Sequence, residues 1–327
     1  MTSADSARSL VSLIFPAFNE VENAPAMLDF YREIVATYPD HAFEMIVVDD
    51  GSTDGTGDHL LQLAYAGEPL RVISLSRNFG SHAAISAGFA HAAGDAAITL
   101  SADRQEPLSA IGQFLDEWAA GADLVWGLRA VRVQQQAVQG RFSRLFSVVF
   151  HRTSDVPTYP AEGPSQLLAT RAVMDAVNAM PEANRNVLAM AAWVGFDQRR
   201  VYYDQLPRPH GVSKWTFRRK LKLVLDSLVE FSRTPVKWFT WTGVTLFGIG
   251  VVALIAALVL ALTGLGGPAG ITAICGTVLL VGGIHLVALG MLSEYVWRIA
   301  DDARRRPIYV VKQVLRPTAS GRSTATK

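Results

Sequence analysis

The chain has 327 residues, half of them hydrophobic, and its formal net charge is +1 at pH 7. This balance excludes a broad nucleic-acid-binding surface as the main function, because such surfaces carry a clear excess of Lys and Arg. The length favours about two domains. A single cysteine, Cys275, excludes a disulfide framework and a cysteine-based zinc site. The first residues, MTSADSARSL, lack an apolar core, so the sequence predicts no cleaved signal peptide.

Short apolar runs alternate with helical patterns through the N-terminal part of the chain. The runs predict strands at Val11–Phe15, Met45–Asp49, Arg71–Leu75, Ala96–Leu100 and Asp123–Gly127. Strands that alternate with helices predict βαβ units, and therefore an α/β fold with a mostly parallel sheet covered on both faces. Ligands of such sheets bind beyond the carboxyl ends of the strands. We therefore expect the functional groups in the loops that follow these runs.

Polar motifs follow the first four strands, namely PAFNE (16–20), VVDDGSTDGT (47–56), SRNFGSHAA (76–84) and SADRQE (101–106). In the second, Asp50 can accept from a base or a ribose, and Gly51 admits a close backbone approach. An Asx turn with an N-cap at Ser52 or Asp54 explains the same residues equally well. In the third, Arg77 can reach a base or a phosphate. No G-x-G-x-x-G follows the first strand, which disfavours a Rossmann dehydrogenase.

The fourth motif predicts a divalent cation that bridges a diphosphate. Asp103 and the side-chain carbonyl of Gln105 are the expected ligands, and Glu106 is an alternative ligand that would have to swing in. Because the motif contains few acidic residues besides Asp103, we expect its affinity for a divalent cation to be weak. An acid introduced at Ser101 is expected to lower the metal concentration that the protein needs.

Two uncharged runs, Trp238–Leu262 and Ile271–Met291, each exceed the roughly 20 residues that cross a bilayer as a helix. Lys and Arg flank the pair on both outer sides, so the positive-inside rule places both flanks in the cytoplasm and the intervening TGLGGPAG segment outside. Two buried core helices are the alternative. The amphipathic segment Trp215–Ser232 predicts an interfacial helix, or else a helix packed on the soluble domain.

These patterns divide the chain into four segments and predict a multi-pass protein of the inner (cytoplasmic) membrane. The segments are an α/β domain at 1–210, an interfacial helix at 211–235, a two-helix hairpin at 236–298 and a cytosolic tail at 299–327. Residues after Arg316 are rich in small polar types, so we expect them to be disordered.

The order of the motifs resembles that of polyprenyl-phosphate glycosyltransferases, inverting family-2 enzymes of the GT-A type that include dolichol-phosphate mannose synthase. The similarity runs from about Val11 to Val314 and also covers WGLRAVR, MPEANRNVLAMAAWVGF, RPHGVSKW and SEYVWRIADDARRRPIYVV. It implies a cytosolic GT-A domain, a nucleotide-sugar donor (UDP-linked by expectation), Mg²⁺ or Mn²⁺, and a polyprenyl phosphate acceptor taken from the membrane. The resemblance does not decide whether the protein forms a homo-oligomer.

Carried over residue by residue, the resemblance implies a catalytic role for Asp103, Arg129 and Ser165, and four binding roles. The nucleotide sugar would contact Pro16, Glu20, Asp50, Arg77 and Asp103, and the metal would be bound by Asp103 and Gln105. Arg129 and Arg132 would face phosphates, with Arg132 on the lipid side. The lipid phosphate would lie at Arg208, Ser213 and Lys214. Anchoring to anionic lipid is the alternative role for these cations.

Three departures from the family pattern leave the site short of acid. The usual D-x-D reads Ser101-Ala102-Asp103, the segment after GLRAVR reads VQQQAV without charge, and Ser165 stands where a candidate catalytic Asp is expected. A phosphate monoester has a second pKa near 6 and no proton to surrender at neutral pH, so a general base is less necessary.

Two other functions compete with transfer to a lipid phosphate. A degenerate homologue that binds nucleotide sugar or lipid phosphate as a partner subunit is the stronger alternative. A processive polysaccharide synthase is disfavoured, because no Q-x-x-R-W element is present and two spans are too few for an export channel.

Overall fold

The structure, a computed structural model, describes residues 8–130, 158–160, 163–164, 166–180, 182, 185–206, 306–316 and 324–326, with scattered helical positions between 270 and 304. The sheet and its covering helices belong to one compact unit, and the positions between 270 and 304 belong to a second. The predicted interfacial helix Trp215–Ser232 and the first apolar run Trp238–Leu262 lie outside the described residues. Within the described positions we find no helix with both the length and the hydropathy needed to cross a membrane.

Nine strands form the sheet in the described part of the chain. They are β1 (Leu10–Ala17), β2 (Ala42–Asp49), β3 (Leu70–Leu75), β4 (Ala96–Thr99), β5 (Leu124–Arg129), β6 (Gln166–Thr170), β7 (Gln198–Tyr203), β8 (Val311–Arg316) and β9 (Thr324–Thr326). The helices of the same unit are α1 (Ala24–Thr37), α2 (Thr56–Tyr65), α3 (Ser81–His91), α4 (Leu108–Ala119), α5 (Arg171–Ala179) and α6 (Val187–Trp193), with a 3₁₀ turn at Val21–Asn23 before α1.

The strand order is β7-β5-β6-β4-β1-β2-β3-β8-β9. Strands β1, β2, β3 and β4 pair in parallel, as do β5 and β7, whereas β6 and β8 are antiparallel to their neighbours. The first residue of β6, Gln166, therefore lies opposite Gly127 at the edge where the parallel strands end. The ends of the parallel strands and the starts of β6 and β8 can thus contribute side chains to a single edge of the sheet.

Helices on both faces explain why the central strands are apolar throughout. Alternate residues such as Leu13 and Phe15 pack with α1 and α4 in one large core. The residue between them, Ile14, is also fully buried and lies against Gly88 of α3. Because both faces are covered, polar groups gather in the loops beyond the strand ends.

The five strands predicted from the sequence are confirmed as β1 to β5, and the α/β class with a mixed, mostly parallel sheet is confirmed with them. The prediction of disorder after Arg316 is wrong for Thr324–Thr326, which pair with Val314–Arg316 as β9. Composition cannot anticipate this pairing, since its hydrogen bonds come from the main chain.

Leu315 of β8 is fully buried in the same core as β1 and β2, although the strand follows the predicted membrane hairpin in the chain. We expect Leu315→Ala to cost about 2–4 kcal/mol, because it leaves a cavity between β8 and the covering helices. The thermal midpoint of the purified protein should fall by about 5–10 °C.

Val310, 46% exposed and one residue before β8, provides the matched control. Val310→Ala should change the stability by less than about 0.5 kcal/mol. Equal midpoints for the two variants would show that β8 is not packed on the sheet in solution.

Candidate functional site

The loops after β1 and β2 are tied together by side-chain hydrogen bonds. The N–H of Asn19 donates to Ser52 Oγ at 2.9 Å, and the N–H of Thr53 donates to Asn19 Oδ1 at 2.8 Å. One residue further on, the N–H of Glu20 donates to Thr56 Oγ1 at 2.8 Å. The hydroxyls of the VVDDGSTDGT motif thus fix the PAFNE loop, and they leave the Glu20 carboxylate at the same edge, where Asn23 Nδ2 donates to it at 2.6 Å.

Asp50 joins the loop after β2 to the loop after β3. Its two carboxylate oxygens accept the backbone N–H groups of Phe79 at 2.7 Å and Gly80 at 2.8 Å. Burial raises the pKa of Asp50 above its usual value, against the two amide hydrogen bonds, which lower it. A carboxylate offers about four lone-pair positions, so Asp50 can hold this loop and still accept from a ribose hydroxyl.

Gly51 makes the closest backbone approach at this edge. Its φ is +65°, and a Cβ atom there would lie 2.3 Å from the carbonyl carbon of Arg77 and 2.7 Å from the nitrogen of Asn78. Glycine is therefore required both by conformation and by space. The Asx-turn alternative also holds in part, because Asp54 Oδ1 accepts the N–H of Thr56 at 2.9 Å at the start of α2.

The exposed side chain of Arg77 stacks on an aromatic ring. Its guanidinium carbon lies 3.9 Å from the ring centroid of Phe79, and one guanidinium nitrogen donates to the Asn78 carbonyl at 3.0 Å. Stacking of this kind restrains a long cation without neutralising it. Arg77 therefore presents a positive charge beside the loop that Asp50 holds.

The SADRQE turn after β4 brings together residues from distant parts of the chain. Gln105 Nε2 donates to Asp103 Oδ2, and Gln205 Nε2, just beyond β7, donates to Gln105 Oε1. The N–H of Leu206 donates to the Gln105 carbonyl at 2.9 Å. The end of β7 is therefore fastened to the pair of residues that the sequence predicts as metal ligands.

Two further residues of the same turn fix its position, Arg104 through contacts with α1 and Glu106 through buried hydrogen bonds. Arg104, at φ +53°, forms an ion pair with Glu33 and lies 5.2 Å from the ring centroid of Phe30 on α1. Glu106 is 1% exposed and accepts the Ser101 hydroxyl at 2.6 Å and the Gln166 amide at 2.8 Å. Burial raises the pKa of the Glu106 carboxyl, while these donors lower it. Because Glu106 is buried and both of its oxygens accept hydrogen bonds, acting as the substitute metal ligand would require it to leave these partners.

The donor set at this turn fits a hard divalent cation in its chemistry. Asp103 supplies a carboxylate and Gln105 supplies an amide oxygen that also accepts the Gln205 side chain, and Mg²⁺ commonly takes few protein ligands and several waters. Across the residues that the structure describes, no group of three or more His, Cys, Asp or Glu side chains is arranged to hold a metal. A cation here would therefore depend on Asp103, with diphosphate and water oxygens completing its shell.

Residues 12–163 match the family model described as glycosyl transferase family 2. The chain is also 31% identical over 305 residues to the uncharacterized glycosyltransferase sll0501 of Synechocystis sp., covering 93% of this chain and 95% of that protein. The chain belongs to glycosyl transferase family 2. The resemblance that the motif order indicated is thereby confirmed, and the protein is a glycosyltransferase.

The chain is also similar to two other proteins. A bactoprenol glucosyl transferase of Shigella phage SfV is 31% identical to this glycosyltransferase over 305 residues, covering 92% of this chain and 98% of the phage protein. A mannosyltransferase from Pyrobaculum calidifontis, solved with GDP-Man and Mn²⁺, is 17% identical with a TM-score of 0.46, covering 92% of this chain and 85% of that chain.

The structure places part of the predicted site of this family-2 protein at the carboxyl edge of the sheet. The described members of that set are Pro16, Glu20, Asp50, Arg77, Asp103, Gln105 and Arg129. The other members, Arg132, Ser165, Arg208, Ser213 and Lys214, lie outside the described residues. The binding roles of both sets stay predictions.

Sequence reasoning missed three residues that shape this edge. Gln205 follows β7 with no motif around it, so only the fold reveals its contact with Gln105. Gln166, the first residue of β6, has no motif around it in the sequence, and the sequence offers Glu106 as an alternative ligand rather than as a support. Glu106 directly follows the predicted ligand Gln105, and this position was a signal for its importance. The sequence around Gln205 and Gln166 offered no such signal.

The approach of Gly51 to Arg77 can be tested by adding a single methyl group. Gly51→Ala should lower the thermal midpoint by about 5 °C or more and weaken nucleotide binding, because the Cβ atom displaces the loop that carries Arg77. Gly55→Ala is the matched control, since Gly55 also has a positive φ, +91°, but open space around its Cβ position. Isothermal titration with UDP and thermal unfolding would measure both effects. Equal losses in the two variants would mean that φ alone, and not the contact with Arg77, requires glycine at position 51.

His82, the second residue of α3, predicts a dependence of stability on pH. Its Nδ1 is buried without a hydrogen-bond partner among the described residues, and burial lowers the pKa to about 4. The pKa of a His side chain is near 6.5 in the unfolded chain, whereas that of His82 in the folded protein is about 4. As the pH drops, the unfolded state therefore binds the proton first, and the free energy of unfolding decreases through this window.

Thermal midpoints at pH 7.5 and pH 5.0 measure this effect. His82→Met removes the titration, so the variant should lose less stability between the two pH values than wild type, by on the order of 1 kcal/mol. A wild-type midpoint that falls no further than that of His82→Met would contradict a neutral His82 whose Nδ1 is buried.

Proposed function

We propose that the protein transfers a sugar from a nucleotide diphosphate donor to polyprenyl phosphate, with inversion, at the cytosolic face of a membrane. In this proposal residues 1–210 form a GT-A domain. The apolar runs Trp238–Leu262 and Ile271–Met291 anchor the chain, and their Lys- and Arg-rich flanks support a cytosolic position for both ends.

The observation that carries the proposal is the contact between the SADRQE turn and the end of β7. Leu206 and Gln205 bind Gln105 through the main chain and the side chain. Arg208 follows Gln205 by three residues in the sequence. The RPHGVSKW segment, expected to bind a lipid phosphate, therefore comes directly after the residues that contact the expected donor site.

The chemistry needs no proton transfer before attack. An oxygen of the lipid phosphate would form a bond to the anomeric carbon as the bond from that carbon to the nucleotide diphosphate breaks, and the bonding electrons leave with the diphosphate. A phosphate monoester is largely dianionic at neutral pH, so the absence of an Asp at Ser165 does not remove an essential base.

The residues of the edge would stabilise the charge that moves to the leaving group. Arg77 and Arg129 supply guanidinium groups, which suit phosphate oxygens. Asp103 and Gln105 would hold a divalent cation, and a bound Mg²⁺ or Mn²⁺ would supply further positive charge to the diphosphate. Asp50 and the PAFNE loop would position the nucleoside, because they fix the loops on either side of it.

The named relative supports a narrower version of the proposal. The phage protein that matches nearly the whole chain is called a bactoprenol glucosyl transferase. We infer that a glucosyl or similar hexosyl donor and a bacterial polyprenyl phosphate are the first substrates to test. UDP is the nucleotide of choice for that test, in line with the expectation from the motifs.

A second function, a binding subunit without catalysis, is favoured by one observation. Asp103 and Glu106 are the only carboxylates within the described SADRQE turn, and Glu106 is committed to Ser101 and Gln166. A site with one available acid binds a metal weakly, and such a protein can retain nucleotide binding after transfer is lost. The same assay separates the two functions.

The test uses purified full-length protein, radiolabelled UDP-glucose, Mn²⁺ and undecaprenyl phosphate, with label counted in the organic extract. Wild type should transfer the label to the phosphate and not to undecaprenol, which lacks the phosphate nucleophile. Asp103→Asn should reduce transfer by about 100-fold or more, because the variant keeps the shape and loses the charge that offsets the cation.

Asp40→Asn is the matched control, since Asp40 is exposed and precedes β2 at the opposite edge of the sheet. This variant should transfer as wild type does. Full activity of Asp103→Asn, or of wild type in excess chelator, would remove the metal from the proposal. If a panel of nucleotide sugars supports no transfer but UDP still binds, the binding-subunit function is the better account.

A further inference from the structure

Gln105 is held at both of its carbonyl oxygens by the segment that follows β7. Gln205 Nε2 donates to the side-chain oxygen Oε1, and the N–H of Leu206 donates to the main-chain oxygen at 2.9 Å. The side chain of Gln105 is buried, and so is that of Asp103 beside it. Two neighbouring residues from a distant part of the chain therefore fix both the backbone and the side chain of Gln105.

The carboxylate of Asp103 sets the direction of the hydrogen bonds that join these side chains. A carboxylate accepts hydrogen bonds and donates none, so Gln105 has to turn its Nε2 towards Asp103 Oδ2. The Oε1 atom of Gln105 is then the end of the amide that needs a donor, and Gln205 Nε2 supplies it. The three side chains form a one-way series of donors, from Gln205 to Gln105 to Asp103.

The donor from Gln205 matters because the Gln105 amide has little contact with water. A buried amide oxygen without a donor is destabilising, and a Gln105 side chain that lost Gln205 would gain by rotating towards another donor or towards solvent. Gln205 thus keeps Gln105 in the orientation that contacts Asp103. An amide oxygen has two lone-pair positions, so Oε1 can accept from Gln205 and still bind a cation.

We propose that Gln205 is a positioning residue for the predicted cation site and that it acts on Asp103 through Gln105. Gln205 does not bind the cation in this proposal; it fixes the amide that does, and through that amide one oxygen of the Asp103 carboxylate. The inference deepens the proposed function and rests on it, because positioning has meaning only if Asp103 and Gln105 hold a cation beside the donor diphosphate.

The experiment measures how much Mn²⁺ the protein needs, on purified full-length protein with UDP present. The thermal midpoint is recorded while Mn²⁺ is varied, and the Mn²⁺ concentration that gives half of the stabilisation is compared between variants. Gln205→Met keeps the length of the side chain and removes its N–H groups. This variant should raise the half-stabilising concentration about 10-fold or more, as the loss of outer partners of metal ligands does.

A double-mutant cycle tests whether Gln205 acts through Gln105. Gln105→Met alone should also raise the Mn²⁺ requirement, because it removes a predicted ligand. Adding Gln205→Met to Gln105→Met should change the requirement by less than about threefold, since the amide that Gln205 positions is already gone. Equal effects of Gln205→Met in both backgrounds would overturn the proposed route through Gln105.

Gln198 offers a matched control at the start of the same strand. It accepts the indole N–H of Trp126 at 3.0 Å and donates to the Ala192 carbonyl at 2.9 Å, so Gln198→Met also removes two hydrogen bonds of a glutamine. Gln198→Met should lower the midpoint and leave the Mn²⁺ requirement within about twofold of wild type. A Mn²⁺ requirement that rises equally in Gln198→Met and Gln205→Met would reduce Gln205 to a structural support.

A second variant covers the case in which Gln205→Met does not fold. Gln205→Asn keeps a polar amide and is one methylene shorter, so it cannot make the same contact with Gln105, and it should raise the Mn²⁺ requirement in the same direction. If Mn²⁺ and UDP do not stabilise wild type, the donor site itself is wrong and the positioning role falls with it. If wild type responds and the Gln205 variants respond identically, the donor site stands and only the role of Gln205 is lost.

Discussion

The carboxylate of Asp50, which accepts the amides of Phe79 and Gly80, is the interaction on which the arrangement of the candidate site depends. A buried acceptor must be paired, so the loop after β3 is held in the one position that satisfies both oxygens. Gly51 then has to pass against the backbone of Arg77, and no larger residue fits there. The location of Arg77 and the start of α3 both follow from this single side chain.

The same rule operates a second time at the end of β4. Glu106 accepts hydrogen bonds from the turn and from β6, and Gln105 accepts a hydrogen bond from the segment that follows β7. In each case a polar group that would be costly to bury alone fixes a loop. The arrangement of the loops at the site thus depends more on buried hydrogen-bond acceptors than on exposed charges.

Much of the fold could be predicted because its central strands are continuous apolar runs, as in β1 to β5. The remaining strands carry weaker signals, since β7 reads QRRVYY on an exposed flank and β6 begins with a polar Gln166. The position of Asp50 and Asp103 at strand ends could likewise be predicted from the motifs. Their partners could not, because Gln205 is 100 residues from Gln105 along the chain and nothing local marks the contact.

Strand β8 has a consequence for how the protein is made. It pairs with β3, yet in the chain it comes after the second unit, so the main-chain groups of β3 on that side stay without this partner until the ribosome has passed residue 316. An open strand edge is a template for aggregation. A nascent chain whose synthesis pauses before residue 316 would therefore expose this edge for longer, which makes the sheet domain a natural client of chaperones during biosynthesis.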